Sequence, residues 1–219
     1  MENLDRYAQF FDTAYPEYTD ARYAEIAQLV SRYDSATALS AIEGQQFRDF
    51  VALVQPLIAI KNYKSQVPFP EKVREVVNCI IRIRSAPIGS PDLFANHHSL
   101  FEQLISLQGF QLPTVSAVFH FYHPSHFPII DVNVEAACAL LKQRFPNDFA
   151  RFVAPVLPAP NTSVTNKLNK YAAFIAFIGQ VISLQRVHEG NPTYRYVDKA
   201  LMVLGVPKLR TQVENRAAR

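Results

Sequence analysis

The chain has 219 residues, of which 49% are hydrophobic and 19% charged, with 15 prolines and only 6 glycines. This composition excludes disordered, collagen-like and low-complexity proteins, and it is typical of a globular protein with one large core or two joined lobes. The net charge of +3 is unevenly distributed: residues 51–84 carry +4, residues 161–219 carry +6 and residues 1–50 carry −5. The two basic stretches either face solvent or attract a polyanion.

Several classes of protein and site are excluded by features that the sequence lacks. No stretch reaches the ~20 apolar residues of a membrane span, and the first residues lack the pattern of a signal peptide. Two cysteines, Cys79 and Cys138, cannot supply a four-thiolate cluster. We therefore expect a cytoplasmic protein, associated with the nucleoid if it is bacterial, that has no cofactor, no metal and no contact with a membrane.

Helical periodicity dominates the chain, and strand-like alternation is scarce. Apolar residues recur at helical spacing over 71–84, after Asp131 and along a long later helix. Proline-rich segments interrupt the pattern, above all between Ala154 and Thr162, which we interpret as a linker. Further helices are predicted at 3–12, 20–33, 35–43, 45–60, 97–108, 113–122 and 193–204. The apolar stripe of the long helix is predicted at Leu168, Tyr171, Ile175, Ile178 and Ile182.

These elements predict an all-α fold. We expect a single helical domain over residues 1–205, since no repeat or long linker divides it. After Gly205 the chain has few apolar residues to bury, so residues 206–219 are predicted to form a flexible tail.

A short turn joins two of the predicted helices near residues 107–113. The first helix runs up to Gly109, and the second begins at Pro113, where the missing N–H costs nothing. Two antiparallel helices joined by so short a turn form a helical hairpin. The second helix directs backbone N–H groups outward at its N-terminus, where they can bind a nucleic-acid phosphate. The hydroxyls of Thr114 and Ser116 are candidate additional donors.

Asp131 lies between two bulky apolar residues, Ile129 and Ile130, and an amphipathic helix. At this position a carboxylate caps the helix by accepting hydrogen bonds from backbone N–H groups. A cap and a catalytic carboxylate are compatible roles, so both interpretations of Asp131 stay open.

The segment from 107 to 134 resembles the helix-hairpin-helix DNA glycosylase superfamily, which includes endonuclease III and the adenine mismatch, alkyl-base and 8-oxoguanine glycosylases. The string from His126 to Val134 is close to the adenine mismatch branch, and Thr-x-Ser in the hairpin is closer to the alkyl-base branch. Elsewhere the resemblance consists only of a helical pattern. The residues that carry it are Leu107-Gln108-Gly109-Phe110-Gln111, Pro113-Thr114-Val115-Ser116 and His126-Phe127-Pro128-Ile129-Ile130-Asp131-Val132-Asn133-Val134.

The resemblance implies a two-lobed fold with an inner lobe at about 36–128 and an outer lobe made of both chain ends. It implies that Asp131 is the catalytic aspartate, which stabilises the positive charge on the sugar as an N-glycosidic bond breaks. It also implies that the target nucleotide is flipped out of double-stranded DNA into a pocket between the two lobes. The implied activity is that of a monofunctional DNA glycosylase in base excision repair, which hydrolyses the bond to a damaged or mismatched base. The implied phosphate contacts of the hairpin are Gly109, Phe110, Gln111, Thr114 and Ser116.

Several positions depart from the family pattern. Pro113 replaces the lysine of bifunctional members, so a β-lyase step through this position is not expected. Gln111 replaces the second hairpin glycine, and two cysteines cannot hold the iron–sulfur cluster of the endonuclease III branch. Two alternatives therefore stay open: a DNA-binding module that has lost its chemistry, and a helical scaffold that binds a protein partner.

Three histidines at i, i+3 and i+6 raise the alternative of a zinc site. They are His120, His123 and His126, and Pro124 breaks the helix between them. No nearby carboxylate or thiolate completes a ligand set. We therefore interpret the histidines as residues of a helix C-terminus or of a DNA-facing loop.

Overall fold

A computed structural model describes residues 1, 3–32, 79, 82, 93–107, 110–189 and 192–217. All regular structure in these ranges is helical, so the described part of the chain is all-α, as predicted. The helices predicted at 35–43 and 45–60 lie outside the described residues, as does most of the helix predicted at 71–84. Much of the expected inner lobe, at about 36–128, lies outside them as well.

The described ranges contain eight α-helices and a short 3₁₀ turn, Pro16–Tyr18, between the first two. Each predicted helix in these ranges overlaps an observed one, with ends that differ by a few residues. The helices are α1 Asp5–Ala14, α2 Asp20–Arg32, α3 Leu93–Ile105, α4 Leu112–Tyr122, α5 Val132–Arg144, α6 Val164–Glu189, α7 Tyr194–Leu204 and α8 Pro207–Ala217.

Helix α7 lies at the centre of the packing, because it contacts α1, α5, α6 and α8. Helix α1 also packs on α8, so the first and last described helices lie against each other. Helix α2 packs on α4, and α3 packs on both α4 and α6. The buried apolar side chains that join the two chain ends in one core include Tyr7, Phe10 and Phe11 of α1 and Val197, Leu201 and Leu204 of α7.

Two basic side chains of α7 attach it to the beginning of the chain. Arg195 donates a hydrogen bond to the carbonyl oxygen of Tyr18 at 2.8 Å, and Lys199 forms ion pairs with Asp12 at 3.2 Å and Asp20 at 2.8 Å. Partial burial raises the pKa of Asp20, but Lys199 and Arg195 outweigh it and hold that pKa below its usual value. Asp20 is therefore ionised at neutral pH, as its ion pair with Lys199 requires.

Residues after Gly205 differ from the prediction. Helix α8 lies within 206–219, where a flexible tail was expected. Its Val213 is buried, and Glu214 accepts hydrogen bonds from Tyr7 Oη at 3.2 Å and from Arg144 at 2.9 Å. Leu209 packs against the core as well, and the Arg216 guanidinium lies over the Phe10 ring. These apolar and polar contacts anchor a segment whose hydrophobic pattern is too weak to predict them.

The face of the long helix α6 that is buried in the core contains more aromatic residues than the predicted stripe. Leu168, Tyr171 and Ile178 are buried as predicted, whereas Ile175 and Ile182 are only partly buried. The buried stripe advances mainly in steps of three residues. Its other apolar members are Phe174, Phe177 and Val181.

Gly205, in the turn between α7 and α8, touches the beginning of α5. A Cβ atom at this position would overlap the carbonyl oxygen of Asn133 and lie 2.6 Å from its carbonyl carbon. Only a residue without a side chain allows the two backbones to approach so closely. The turn therefore helps to hold the first residues of α5, directly after Asp131.

We expect Gly205→Ala to destabilise the protein by ~2 kcal/mol or more, because backbone must move to admit the methyl group. Gly179→Ala is the matched control, since a Cβ atom there meets nothing within 4 Å. Replacing a mid-helix glycine by alanine adds about 0.5–1 kcal/mol of stability. Urea unfolding should therefore shift in opposite directions for the two variants, and an unchanged midpoint for Gly205→Ala would contradict the close approach.

Candidate functional site

Asp131 caps helix α5. Its Oδ1 atom accepts hydrogen bonds from the backbone N–H groups of Asn133 and Val134, both at 2.9 Å. The backbone of Asp131 is extended, as it is at most helix N-caps. The cap predicted from the sequence is thus confirmed, and the residue is only partly buried, so it is accessible from outside the protein.

The segment Phe127–Ile130, which we call the approach segment, belongs to no helix and leads to Asp131. Ser116 on helix α4 accepts a hydrogen bond from the Ile130 N–H at 3.2 Å. His120, one turn later, donates from Nδ1 to the carbonyl oxygen of Phe127 at 2.7 Å, since that oxygen can only accept. Both side chains are fully buried. Helix α4 therefore determines the course of the approach segment at both of its ends.

A third side chain holds the middle of the approach segment. Tyr171 on α6 is fully buried, and its hydroxyl donates to the carbonyl oxygen of Pro128 at 3.0 Å. Burial raises the pKa of Tyr171, so the phenol keeps the proton that it donates. We call Ser116, His120 and Tyr171 the clamp. Because broken hydrogen bonds are costly in a buried site, the clamp fixes the segment that positions Asp131.

We expect Ser116→Ala to destabilise the protein by ~1–3 kcal/mol, because the buried N–H of Ile130 would lose its acceptor. Ser106→Ala is the control: the Ser106 hydroxyl donates to the carbonyl oxygen of Glu102 at an exposed position, so a change under about 0.5 kcal/mol is expected. Amide hydrogen exchange at Ile130 should accelerate in Ser116→Ala alone. Unchanged exchange there would contradict the clamp.

His120 also links α4 to α2. Its Nε2 atom lies 2.8 Å from the Tyr23 hydroxyl. Because Nδ1 donates to Phe127, Nε2 is the acceptor in the neutral ring, and the Tyr23 hydroxyl donates to it. The Arg195 guanidinium lies over the Tyr23 ring, 4.7 Å from its centroid. Burial, opposed by Arg195 and assisted by two carboxylates, raises the pKa of Tyr23 to about 12. Tyr23 thus stays protonated well above neutral pH.

We expect Tyr23 to make the protein less stable at alkaline pH. Its pKa in the folded protein, about 12, lies above the unperturbed value of 10.0. The resulting stabilisation is therefore fully present below about pH 10 and is lost as the pH rises towards about 12. Urea unfolding between pH 9 and 11.5 should show a smaller decline for Tyr23→Phe than for the wild type. If stability declined equally in the wild type and in Tyr23→Phe, the alkaline loss of stability would come from other tyrosines.

Tyr15, just after α1, is a candidate functional residue that the sequence analysis missed. Its hydroxyl donates to the Met202 carbonyl oxygen at 3.5 Å, and the Asn133 amide lies 3.9 Å from the sulfur of the same methionine. Partial burial, then the charge of Asp131, then that of Glu17 raise the pKa of Tyr15. A protonated phenol therefore lies within electrostatic range of the Asp131 carboxylate.

Two further aromatic rings flank Tyr15. The Phe11 ring centroid lies 5.0 Å from that of Tyr15, and the Tyr18 centroid lies 6.4 Å from it. Phe11 is buried, whereas Tyr15 and Tyr18 are partly exposed. The sequence of residues 11–18 does not predict that Tyr15 lies near Asp131. That position depends on the packing of α1 against α7, which is almost the whole chain away in sequence.

The predicted hairpin turn is only partly within the described residues, since Gly109 lies outside them. Phe110 is buried, and its N–H donates to the Leu107 carbonyl oxygen at 3.0 Å. Gln111 is the N-cap of α4 and is partly exposed. Within the described residues its side chain makes no capping hydrogen bond. The first backbone N–H groups of α4 are thus not capped by Gln111.

Thr114 and Ser116 lie inside the protein, which differs from their predicted place beside a phosphate. The Thr114 hydroxyl is buried and meets no hydrogen-bond partner among the described residues. The Ser116 hydroxyl donates to the Pro113 carbonyl oxygen at 2.8 Å and accepts from Ile130. Because its donor and acceptor are used internally, Ser116 is a clamp residue and does not present a hydroxyl donor at the surface.

The three histidines of the H-x-x-H-x-x-H string do not converge. His120 and His123 are buried, whereas His126 is exposed. In the described ranges, no group of three or more His, Cys, Asp or Glu residues could hold a metal ion. The His123 ring packs against the His97 ring, with centroids 5.2 Å apart, and against Phe127 at 5.9 Å. His120 and His123 thus contribute to core packing, whereas His126 faces solvent.

Comparisons with known proteins gave no match to a protein-family model, to a curated protein or to a solved structure. Among the described helices, none is both long and apolar enough to cross a membrane. The glycosylase resemblance therefore rests on the sequence of segment 107–134 alone.

Proposed function

We propose that the protein is a monofunctional DNA glycosylase with a two-lobed helix-hairpin-helix fold. It hydrolyses the N-glycosidic bond of a damaged or mismatched base in double-stranded DNA. The observation that carries the proposal is the partly exposed Asp131 carboxylate, held at the start of α5 by a segment that is hydrogen-bonded to α4. Because α4 is the second helix of the predicted hairpin, the proposed DNA grip and the proposed catalytic group are joined within one rigid unit.

Asp131 acts through its charge in this mechanism. Cleavage of the bond between base and sugar builds positive charge on the sugar, and a fixed carboxylate stabilises that charge better than mobile water does. Two backbone N–H groups fix the Oδ1 atom before substrate arrives. The same carboxylate can orient the water molecule that attacks the sugar. These roles require a nucleotide that is flipped out of the duplex.

Tyr15 is the proposed neighbour of the flipped nucleotide. Its raised pKa makes the phenol a weak acid, so proton transfer to the leaving base is not its role. A protonated phenol can instead donate a hydrogen bond to the nucleotide, and its partly exposed ring can contact an aromatic base.

The proposed DNA contacts are backbone groups of the hairpin turn. Phosphate oxygens accept hydrogen bonds from N–H groups at the N-terminus of a helix, here the turn from Gly109 to Thr114. The side chains of Phe110 and Thr114 are buried, and the Phe110 N–H already donates to the Leu107 carbonyl oxygen. Of these two residues, only Thr114 would therefore contribute a backbone N–H to a phosphate. Gln111 is partly exposed and adds an amide side chain at the same place.

Two observations each favour a different second candidate. Gln111 carries a side chain where the family has glycine, which favours a DNA-binding module that lacks catalysis. Val153 is 85% exposed and Val156 is 52% exposed in the proline-rich segment after α5, which favours a scaffold for a protein partner.

We expect Asp131→Asn to reduce base release by ~100-fold or more while DNA binding and folding stay unchanged. Asparagine caps helices as well as aspartate does, so this variant removes the charge and keeps the cap. Base release is measured as alkali-labile strand breaks in duplex oligonucleotides that carry uracil, hypoxanthine, 8-oxoguanine, alkylated purines or mismatched adenine. Asp131→Ala, the matched variant, should in addition lose ~1 kcal/mol of stability with the cap.

Each contrary outcome contradicts a different part of the proposal. Activity retained in Asp131→Asn would remove the assigned role of the carboxylate. DNA binding without base release on any duplex would favour the binding module. DNA affinity should fall steeply with salt, because phosphate contacts release counterions, and undetectable affinity at low salt would favour the protein scaffold.

A further inference from the structure

A proline-rich segment, 152–159, runs between α5 and α6 without a helix, turn or bend. Each proline fixes its own φ angle, and the residue before a proline is restricted to extended conformations. These restrictions favour a polyproline II helix, which has three residues per turn. Residues 145–150 and 161–163 of the same connection lie outside this segment. The restricted residues are Ala154, Pro155, Leu157, Pro158, Ala159 and Pro160.

The burial of the side chains in this segment repeats with the same period of three. Val153 is 85% exposed and Val156 is 52% exposed, and Ala159 is exposed as well. We call these three residues the ridge, which spans roughly 19 Å at the rise of a polyproline II helix. The side of the segment that packs on the protein consists of Phe152, Pro155 and Pro158.

Contacts with α6 hold the ridge in place. The Phe152 ring lies edge-on to the Phe177 ring, with centroids 6.1 Å apart. Lys170 donates from Nζ to the Val156 carbonyl oxygen at 3.4 Å. The proline restrictions and these contacts order the segment before a partner arrives, so docking at the ridge costs little conformational entropy.

The chemistry of the segment determines which partner surface fits it. Pro155, Pro158 and Pro160 have no N–H group, so they interrupt the hydrogen-bond ladder that a partner β-strand would need. The ridge is convex and apolar, so its complement is an apolar groove. Proteins bind polyproline II segments in grooves that are lined with aromatic rings.

Arg151 adds a charge at one end of the ridge. No residue from 152 to 160 is charged, whereas Arg151 is exposed and has no ionic or hydrogen-bonding partner in the described part of the chain. Its guanidinium can therefore form charge-assisted hydrogen bonds with a carboxylate of the partner.

We propose that the ridge docks into an aromatic-lined groove of a partner protein, in which a carboxylate at the end of the groove pairs with Arg151. This proposal does not depend on glycosylase activity, so either proposal can fail without the other.

The test uses purified SH3, WW and EVH1 domains, which bind polyproline II segments in aromatic-lined grooves. The chain contains no tryptophan, so the tryptophan fluorescence of the domain reports on its groove without interference. We expect a saturable change in this fluorescence for at least one domain when the full chain is added. Decaproline occupies the same groove and should displace the chain.

Replacing both valines of the ridge, Val153→Ser with Val156→Ser, should weaken binding about tenfold or more, because two apolar side chains are no longer removed from water. Val132→Ser is the matched control: it makes the same change at a valine that is 68% exposed outside the ridge, and it should change affinity less than about twofold. Arg151→Gln should weaken binding several-fold, and this difference should shrink at high salt.

Val153→Asp is a second variant that keeps the test independent of folding. Val153 is so exposed that an aspartate there should affect stability little, whereas a charge is costly to bury in an apolar groove. We therefore expect binding to be lost. Thermal unfolding of every variant identifies any loss of fold.

Four outcomes would overturn the proposal. Three are the absence of saturable binding to all three domains at low salt, equal binding by the double valine variant and Val132→Ser, and failure of decaproline to displace the chain. The fourth is self-association of the wild type that Val153→Asp abolishes, measured by sedimentation velocity. That result would assign the ridge to a second copy of the chain.

Discussion

The buried hydrogen bond from the Ile130 N–H to the Ser116 hydroxyl connects the two parts of the molecule on which a function at Asp131 depends. Ser116 belongs to α4, the second helix of the predicted hairpin, and Ile130 lies one residue before the carboxylate. A backbone N–H buried without an acceptor carries the full cost of its lost hydration. The position of the Asp131 carboxylate is therefore coupled to helix α4. The proposed function requires this coupling, because it places the DNA contacts at the start of α4 and the catalytic group at Asp131.

The features that the sequence predicts correctly are local. The Asp131 cap depends on N–H groups two and three residues away, and helices within the described ranges follow from periodicity over one or two turns. The features that were missed depend on distant partners. Tyr15 reaches Met202 from the other end of the chain, and Ser116 acts on a residue 14 positions later. Helix α8 buries little apolar surface, so no periodic pattern of apolar residues predicts it.

For the histidine string, the spacing in the sequence and the surroundings in the structure indicate different roles. Three imidazoles at regular intervals raise the alternative of a metal site, but α4 ends at Tyr122, so only His120 lies on it. His120 is instead used as a hydrogen-bond bridge between Tyr23 and Phe127. The role of His120 therefore follows from the partners that its two ring nitrogens meet, which residue type and spacing do not predict.

The close approach of Gly205 to Asn133 also restricts how this protein can vary over evolution. An additional residue in the turn between α7 and α8 would displace the beginning of α5 and, with it, the carboxylate. Insertions and deletions are tolerated in surface connections that carry few contacts. In homologous chains, differences in length should therefore collect in the proline-rich connection between α5 and α6 and spare this turn. Gly205, more than seventy positions from Asp131 in sequence, thus limits the changes in length that the region around Asp131 can tolerate.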